Sequence, residues 1–296
     1  YNTPICGHLA LDPDTLDIAR AIGNCATSIG VEVPLEGPQQ GQAVLRTANP
    51  CNRRLCPFCE WRRSRAWRRR FFEGLPKFHE DFPTHRAVFL TLTVRNCPVD
   101  DLRSTIGEMH RGWKRMTERS FFPTKFWFRR TEVTQKSVES NLSIGVTFHP
   151  HIHAVLFVPA GYFSRNYVKQ LEWQKQWMDA MRLDYVPVID VRAAKSKPMS
   201  GGAPIDASRA AALEASKYAT KATDLIAMGS SLGKYHYAIK GLRLSASSKS
   251  LKPYITDTPI DSSLLVDTET VVEGETVRGK ALWFEDVQEY LFSDIL

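Results

Sequence analysis

The sequence has no long apolar run. Its longest uncharged stretch includes residues 144–164, which contain three histidines and two prolines, whereas a membrane-spanning helix needs roughly 20 predominantly apolar residues. The first residues also lack a basic region followed by an apolar one, so we expect no secretory signal. Apolar residues make up 43% and charged residues 24% of the 296 positions, which disfavours long disordered, collagen-like and coiled-coil architectures. The sequence therefore predicts a globular, cytoplasmic protein without a membrane span.

Acidic residues are scarce in most of the chain. Residues 1–250 contain 36 basic and 22 acidic residues, a net charge of +14, whereas residues 251–296 contain 3 basic and 10 acidic residues, a net charge of −7. A cationic body of this size suits a polyanionic partner such as a nucleic acid. The acidic tail is predicted to shield that body or to bind elsewhere.

Three of the six cysteines lie close together, in the segment Cys51-Asn-Arg-Arg-Leu-Cys56-Pro-Phe-Cys59. Without a secretory signal, this tight spacing favours metal ligation by thiolates over disulfides. Cys56-Pro-Phe-Cys59 is typical of a zinc knuckle, a short turn that directs two sulfurs at one tetrahedral ion, and Cys51 can supply a third ligand to a structural Zn²⁺. The alternative is a small core of reduced cysteines. The candidates for the fourth ligand, in order of preference, are Cys25, Cys6, His8 and His79.

An arginine-rich segment follows the knuckle. Eight arginines and one acid fall between positions 51 and 70, with Trp61, Trp67 and Phe71 among them. This pattern predicts a basic helix to about residue 75, whose guanidinium groups bind phosphates and whose rings stack on unpaired bases or pack in the core. The alternative is a solvated cationic face with buried tryptophans. The candidate DNA contacts are Arg53, Arg54, Arg62, Arg63, Arg65, Arg68 and Arg69.

Beyond residue 80, apolar periodicity predicts an alternation of strands and helices. The predicted strands are residues 86–94, 125–134, 146–158 and 185–191, the predicted helices are 100–120, 164–181 and 205–228, and the predicted loop is 193–204. The order β-α-β-β-α-β followed by a helix fits an α+β fold with a ferredoxin-like or RRM-like central antiparallel β-sheet and flanking helices. A further hairpin is predicted around residues 273–284.

Histidines alternate with other residues at the start of the predicted strand 146–158. Because strand side chains alternate between faces, His151 and His153 point the same way and lie close enough to bind one ion. Antiparallel pairing with the preceding strand can bring Glu132 to the same face, giving two histidines and a carboxylate with open positions for substrate oxygens and water. His149 shares the parity and is a candidate DNA contact or support for the ligands. The alternative is a set of hydrogen-bonded strand histidines without a metal.

A second polar group lies on the predicted helix 205–228. Glu214, Tyr218 and Lys221 are spaced i, i+4 and i+7, which places them on one helical face. A phenol is a poor nucleophile at its free pKa of about 10, but a divalent cation and a lysine beside it make its deprotonation and attack on a phosphodiester feasible. Taken alone, the same pattern describes an amphipathic helix with a buried tyrosine.

Together these segments resemble the three ordered motifs of the HUH endonucleases. The motifs are Phe89-Leu-Thr-Leu-Thr-Val94 with Asn96, His149-Pro-His151-Ile-His153-Ala-Val-Leu156, and Tyr218-Ala-Thr-Lys221. More narrowly, the knuckle followed by Trp61-Arg-Arg-Ser64 is similar to the single-tyrosine Rep proteins that initiate rolling-circle replication of small bacterial plasmids. The resemblance covers roughly residues 25–245. Because no second tyrosine lies at Tyr-x-x-x-Tyr spacing around position 218, two-tyrosine strand transfer is disfavoured.

The resemblance implies a bacterial, metal-dependent endonuclease that nicks one strand of origin DNA and later rejoins it. By similarity, His151 and His153 bind the catalytic Mg²⁺ or Mn²⁺, and Tyr218 is the nucleophile that forms a 5′-phosphotyrosine. Glu214 assists the second cleavage at termination, and Lys221 holds the phosphate or orders the site. The expected partners are single-stranded or hairpin origin DNA and the host helicase and polymerase.

These expectations divide the chain into three regions. They are a zinc-knuckle and basic-helix region (1–80), an HUH endonuclease domain (81–250) and an acidic C-terminal extension (251–296). Two other functions fit part of the sequence: an HUH transposase would share the first chemical step, and a zinc-containing protein that only binds nucleic acid would explain the knuckle and the arginines. The absence of a Gly-x-x-x-x-Gly-Lys-Ser/Thr sequence disfavours a large conjugative relaxase.

Overall fold

Strands and helices follow one another along the chain, each formed by a segment with apolar residues at strand or helix spacing. The computed structural model describes residues 2–37, 40–140, 143–199, 202–215, 221–255, 274–284 and 289–295. The helices are α1 (Asn2–Ala10), α2 (Leu16–Gly23), α3 (Pro57–Asp81), α4 (Val99–Thr117), α5 (Gln170–Met181), α6 (Ala207–Ala215), α7 (Ala222–Ala227) and α8 (Leu232–Ile239). The strands are β1 (Ser28–Pro34), β2 (Val44–Ala48), β3 (Arg86–Thr93), β4 (Trp127–Ser140), β5 (Ser143–Val158), β6 (Ile189–Ala193), β7 (Lys197–Met199), β8 (Gly202–Ile205), β9 (Ser245–Ser247), β10 (Thr276–Phe284) and β11 (Glu289–Ile295). The protein is α+β, with antiparallel sheets and flanking helices.

The chain forms two compact units, one made of Tyr1–Ala66 with Thr258–Leu296 and the other of Trp67–Asp257. In the second unit, a five-stranded sheet has the order β6-β3-β5-β4-β9, and every neighbouring pair is antiparallel. Helix α4 connects β3 to β4, and α5 connects β5 to β6. The central position of β5 explains why its second half is a continuous apolar run, since both of its faces are covered.

Each face of the five-stranded sheet carries its own hydrophobic core, because successive side chains of a strand point to opposite faces. On one face, Ile152 packs with Trp177 and other residues of α4 and α5. On the other face, Val155 packs against α3 and α6. His151 and His153 have the parity of Val155, so they lie on the α3 and α6 face, where the apolar core ends.

Two features at the β6 edge of this sheet differ from the prediction. The strand predicted over 185–191 is Ile189–Ala193, because Ile189 is buried opposite β3 whereas Val188 is 75% exposed. The segment predicted as a loop, 193–204, contains β7 and β8, which pair with each other as a two-stranded antiparallel sheet. The Pro, Gly and Ser content of this segment concealed its strand character.

Two helices also begin or end at other residues than predicted. Helix α5 starts at Gln170 and not at Ser164, because Ala160–Phe163 form a separate 3₁₀ turn. Helix α3 continues to Asp81 beyond the predicted end near residue 75, since its last turns bury Phe78 in the core. Packing of that apolar side chain outweighs the helix-breaking tendency of the proline within α3.

The prediction of one helix over 205–228 is wrong. Lys221 has an extended backbone, with φ −72° and ψ 150°, and forms the N-cap of α7. An extended N-cap residue begins a helix and does not continue one. Glu214 lies in α6, and Tyr218 falls within 216–220, outside the described residues. Lys221 therefore does not share a continuous helical face with Glu214.

In the first unit, the C-terminal strands complete the sheet of the N-terminal segment. Strand β1 pairs with both β2 and β10, and β10 pairs with β11, all antiparallel. The predicted hairpin around 273–284 is thus displaced, because β10 and β11 are its two strands. The first unit thus joins segments of the predicted regions 1–80 and 251–296 in one sheet. The division of the chain into regions 1–80, 81–250 and 251–296 stays a prediction.

A buried carboxylate on β1 bonds side chains of the neighbouring strands β10 and β2. Glu32 is 7% exposed and accepts hydrogen bonds from Thr276 Oγ1 at 2.9 Å, from Arg46 Nε at 2.6 Å and from Arg278 Nε at 3.2 Å. The hydrogen bond from Thr276 and the two arginines lower the pKa of Glu32. Because a buried charge must be paired, the acidic C-terminal segment is attached to β1 through one of its few basic residues.

No helix among the described residues has the length and apolar character needed to cross a lipid bilayer.

A polar cluster on the α4 face of the five-stranded sheet leads to a stability prediction. His110 Nε2 lies 2.9 Å from Thr131 Oγ1, and Arg129 Nη1 donates to the same hydroxyl at 3.3 Å. Burial and then the charge of Arg129 lower the pKa of His110 to about 4 from 6.5. Between these two pH values His110 is protonated in the unfolded chain but not in the folded protein. The free energy of unfolding therefore decreases as the pH falls through this window.

We expect His110→Gln to remove part of this pH dependence. Allowing for solvent screening of a side chain that is not fully buried, the wild type should lose about 1 kcal/mol more stability than the variant between about pH 7 and pH 5. Urea unfolding of both proteins at the two pH values measures the difference. Equal losses in the two proteins would show that His110 titrates alike in the folded and unfolded states.

Candidate metal centres and active site

One carboxylate and two imidazoles meet where β4 and β5 pair. Glu132 lies directly opposite His151 in the antiparallel register, and His153 lies two residues farther along β5 on the same face. Glu132 Oε2 is 3.3 Å from His151 Nε2 and 3.0 Å from His153 Nε2. Ligand atoms about 3.0 Å apart fit neighbouring positions around an octahedral ion at roughly 2.1 Å from each. The geometry therefore fits a cation held by these three residues, the Glu-His-His triad.

The second nitrogen of each imidazole has its own partner. His151 Nδ1 lies 3.1 Å from the carbonyl oxygen of His149, to which it donates, and His153 Nδ1 lies 3.1 Å from Thr91 Oγ1. A proton on Nδ1 leaves the Nε2 lone pair available for a metal, and such outer hydrogen bonds fix the orientation of ligand rings. Sequence reasoning missed Thr91, although its alternation with the other polar residues of β3 could have placed it beside His153.

The carboxylate of the triad is ionised. Burial alone would raise the pKa of Glu132, but the hydrogen bonds and charges of His151 and His153 outweigh it and lower the pKa to about 2. The side chains of Glu132 and His153 remain 16% and 23% exposed. An ionised carboxylate and two oriented imidazoles with access to solvent are a donor set that can share a divalent cation with a substrate oxygen.

His149 stays apart from the triad. Its Nδ1 lies 2.8 Å from Asn96 Oδ1, and the amide of Asn96 in turn donates to Thr147 at 3.1 Å. Burial and then the charge of His151 lower the pKa of His149. These contacts give His149 a fixed orientation beside the ligands, which leaves its predicted DNA contact as a proposal.

Of the remaining predicted active-site residues, the structure describes Glu214 and Lys221. Glu214 is half-buried in α6 and lines a cleft together with Phe89, whose ring stacks on His153 at a centroid distance of 5.4 Å. Phe89 thus connects the cleft that Glu214 lines to the triad. Lys221 is exposed at the start of α7. Tyr218 lies outside the described residues.

In the first unit, Cys25 joins the three cysteines of the knuckle. The sulfur of Cys59 is 3.6 Å from that of Cys25 and 3.7 Å from that of Cys51, and the four sulfurs, including that of Cys56, all lie within 4.8 Å of one another. Sulfurs about 2.3 Å from a tetrahedral Zn²⁺ are about 3.8 Å apart, whereas a disulfide needs about 2.05 Å. The spacing therefore fits a four-thiolate metal site and not two disulfides. Cys6, another candidate, instead donates to the carbonyl of Ala19.

Backbone amides point at two of these sulfurs. The N–H of Asn52 donates to Cys59 Sγ at 3.2 Å, and the N–H of Cys51 donates to Cys25 Sγ at 3.3 Å. Asn52 reaches this position through a left-handed backbone, with φ 58°. Hydrogen bonds from the other three cysteines lower the pKa of Cys59, with the amide of Asn52 adding to them. Donors aimed at sulfur stabilise thiolates, which are the form that binds metal.

The arginines after the knuckle divide into two groups. Arg62 is 4% exposed and donates to Asn52 Oδ1 at 3.1 Å, and Arg63 donates to Glu60 Oε1 at 2.8 Å and to the carbonyl oxygens of Arg53 and Asn52. These contacts hold the cysteine loop in place. Arg62 was a predicted DNA contact, but its buried guanidinium cannot reach a phosphate. The exposed or half-buried members of the predicted set are Arg53, Arg54, Arg63, Arg65, Arg68 and Arg69.

With the fold and the triad established, the class of protein follows from comparison with known sequences. Residues 42–288 match the Rep_1 family of replication proteins, and the chain belongs to this family. It is 33% identical over 225 residues to Protein rep of Bacillus amyloliquefaciens, covering 70% of this chain and 61% of that protein. It is 34% identical over 190 residues to Protein rep of Streptococcus pneumoniae, covering 62% of this chain and 55% of that protein. The resemblance to Rep proteins found in the sequence is thereby confirmed.

The match to these relatives is partial in length. The chain covers less than two thirds of them, and a Replication protein of Staphylococcus aureus is 32% identical over 120 residues, which is 48% of that protein. No solved structure matches the chain.

Proposed function

We propose that the protein initiates rolling-circle replication of a bacterial plasmid by nicking one strand of its origin DNA. The observation that carries this proposal is the convergence of Glu132, His151 and His153 on one face of the sheet, with both Nε2 atoms directed at the carboxylate. Membership of the replication protein family supports the biological setting. The site of action is then the bacterial cytoplasm, with origin DNA and the host helicase and polymerase as partners.

We also propose a closer assignment of the fold that contains the five-stranded sheet. The elements β3-α4-β4-β5-α5-β6 follow the order β-α-β-β-α-β, and β6-β3-β5-β4 is an antiparallel sheet in which the two α-linked strand pairs are interleaved. This arrangement supports a ferredoxin-like or RRM-like HUH nuclease core. We further propose that residues 81–250 supply the nuclease and residues 1–80 the zinc-containing DNA-binding region, with 251–296 as the acidic extension.

The proposed catalytic cation, Mg²⁺ or Mn²⁺, is held by Glu132, His151 and His153. When bound, such a cation polarises a phosphate oxygen and offsets negative charge in the transition state. The ligands face solvent on their exposed side, so a single-stranded phosphate can approach without disturbing the sheet. The carbonyl of His149 keeps His151 in the tautomer that offers Nε2, and Thr91 fixes the orientation of the His153 ring.

Three further residues have proposed roles in phosphodiester exchange. The hydroxyl of Tyr218 loses its proton to solvent and attacks the scissile phosphorus, so that a bond forms between the phenol oxygen and phosphorus while the bond between phosphorus and the 3′-oxygen breaks. The leaving 3′-oxygen takes a proton from solvent and becomes the hydroxyl that primes synthesis. Because the phosphotyrosine conserves the energy of the broken bond, rejoining needs no ATP. Glu214 acts as general base for water at the terminating cleavage, and Lys221 holds the phosphate.

The first unit is proposed to bind DNA and to depend on zinc. Zn²⁺ held by Cys25, Cys51, Cys56 and Cys59 fixes the loop from which the basic helix α3 begins. Exposed arginines near that loop then contact phosphates, so affinity for DNA should fall steeply with salt. Arg53 and Arg54 are the most exposed of them.

We expect Glu132→Gln to weaken Mn²⁺ binding by about 100-fold or more, because loss of a direct ligand exceeds the 10- to 100-fold cost of losing an outer hydrogen bond. Isothermal titration with Mn²⁺ measures the affinity. Incubation with labelled single-stranded DNA and Mn²⁺ should give cleavage and a band that survives SDS with the wild type and not with Glu132→Gln. Glu118→Gln, at an exposed carboxylate paired with Lys114, is the control.

Unchanged Mn²⁺ affinity in Glu132→Gln would identify the triad as hydrogen-bonded strand residues. A wild type that binds DNA and leaves it intact, with no SDS-resistant band, would indicate a protein that binds nucleic acid without cutting it.

A further inference from the structure

A cleft of about 580 Å³ opens beside the triad, within the second unit. One side is formed by residues 192–196 at the end of β6, and the other by α6 through Ala210, Ala211 and Glu214. Its volume lies within the roughly 300–1,000 Å³ of pockets that hold small ligands. None of the catalytic or metal-binding roles proposed above accounts for the residues at the β6 side of this cleft.

Phe89 connects the cleft to the triad. Its ring forms part of the cleft lining, stacks on His153 with an interplanar angle of 27°, and lies 5.3 Å from the guanidinium of Arg192. The order across the sheet is therefore His153, Phe89, Arg192, in which the aromatic ring separates the triad from a cation. Phe89 is only 4% exposed, so it supports its neighbours and is not itself a stacking platform for a base.

The β6 side of the cleft is cationic. Arg192 and Lys195 both line it and are exposed. The carboxylate of Asp190 lies 3.5 Å from Arg192 Nε, but both side chains are more than half exposed, so this ion pair is weak and leaves the guanidinium able to bind a stronger anion. The opposite side presents the small apolar side chains of Ala210 and Ala211, together with the carboxylate of Glu214.

We propose that this cleft binds the nucleotide adjacent to the scissile phosphate, a proposal that rests on the function proposed above. Arg192 and Lys195 hold the neighbouring phosphate of a single DNA strand, and the alanines of α6 contact its sugar and base. An arginine fork and a lysine point charge suit phosphate oxygens. Holding the phosphate one ring away from the triad positions the strand, so Arg192 and Lys195 are positioning residues and take no part in the chemical step.

The first test measures binding without cleavage. The probe is a short fluorescein-labelled single-stranded oligonucleotide of random sequence, titrated without added Mg²⁺ or Mn²⁺ at several NaCl concentrations and followed by anisotropy. We expect Arg192→Ala/Lys195→Ala to weaken binding about 10-fold, and to reduce the slope of log affinity against log salt by roughly 0.7 for each phosphate that the variant no longer neutralises. Arg192→Lys/Lys195→Arg should restore the slope, and Ser196→Glu, which adds a negative charge at the cleft, should weaken binding as well.

A matched variant on the opposite face of the sheet controls for net charge. Arg111→Ala/Lys114→Ala removes two exposed cations from α4, where each is paired with a glutamate of the same helix or its C-cap. Its affinity and salt slope should remain within about twofold of the wild type, as expected for charges outside the contact surface. Equal losses in the two double variants would overturn the proposal, because the effect would then reflect total charge.

The second test measures cleavage with Mn²⁺, so that failure of the cleft and failure of the proposed function differ. A positioning role predicts that Arg192→Ala/Lys195→Ala raises KM and leaves kcat near the wild-type value at saturating DNA. A lowered kcat with unchanged KM would overturn the cleft assignment while the nickase function stood. If the wild type formed no SDS-resistant adduct, the proposed function would fail. The proposal that the cleft binds next to a scissile phosphate would then fail as well, even if Arg192→Ala/Lys195→Ala still weakened DNA binding.

Discussion

Replacing Tyr218 by phenylalanine should abolish nicking and the covalent adduct. The phenol oxygen is the atom proposed to bond to phosphorus, and the phenylalanine ring has no oxygen that could replace it as nucleophile. Loss of a nucleophile typically lowers the rate by roughly 10⁴-fold or more. The measurement is single-turnover cleavage of labelled single-stranded DNA with Mn²⁺, with mass spectrometry of the protein to locate the modified residue.

Binding separates this effect from misfolding. Tyr218→Phe should retain the DNA affinity and Mn²⁺ affinity of the wild type, because the hydroxyl is proposed to act only in bond formation. Tyr167→Phe removes a hydroxyl from an exposed tyrosine of the same unit and should cleave normally. An adduct that persists in Tyr218→Phe would remove Tyr218 from its role and direct attention to another nucleophile.

Replacing Cys56 by serine should release zinc and unfold the first unit. Structural zinc contributes about 10–16 kcal/mol to the folding of zinc-finger peptides, far more than a small unit retains from its own core. Cys56 is fully buried, and its sulfur lies with those of Cys25, Cys51 and Cys59. We expect about one zinc per wild-type chain, measured by elemental analysis, and little in the variant, with proteolysis of residues 1–66 as the readout of unfolding.

Cys6→Ser is the matched control for this prediction. Cys6 lies in the same unit, but its thiol donates to the carbonyl of Ala19, and a serine hydroxyl preserves that hydrogen bond. Zinc content and protease resistance should therefore match the wild type. If Cys56→Ser kept its zinc and its folding, the four cysteines would be a reduced core without a metal.

The strongly periodic elements of the second unit could be predicted from the sequence. The strand predicted at 86–94 is Arg86–Thr93, and the helix predicted at 100–120 is Val99–Thr117. Their apolar patterns reflect backbone geometry within a few residues, which needs no knowledge of distant partners. The prediction of one helix over 205–228 was wrong, because composition alone does not locate the residue at which a helix stops.

The spacing of His151 and His153 by itself determined that the two imidazoles share a face, since strand geometry fixes that alternation wherever the strand lies. The spacing of Cys56 and Cys59 likewise determined a pair of nearby sulfurs. Only the tertiary structure decided that Glu132 lies opposite His151 and that Cys25 completes the cysteine cluster. Strand register and the meeting of distant segments depend on core packing and loop closure, which no local pattern encodes.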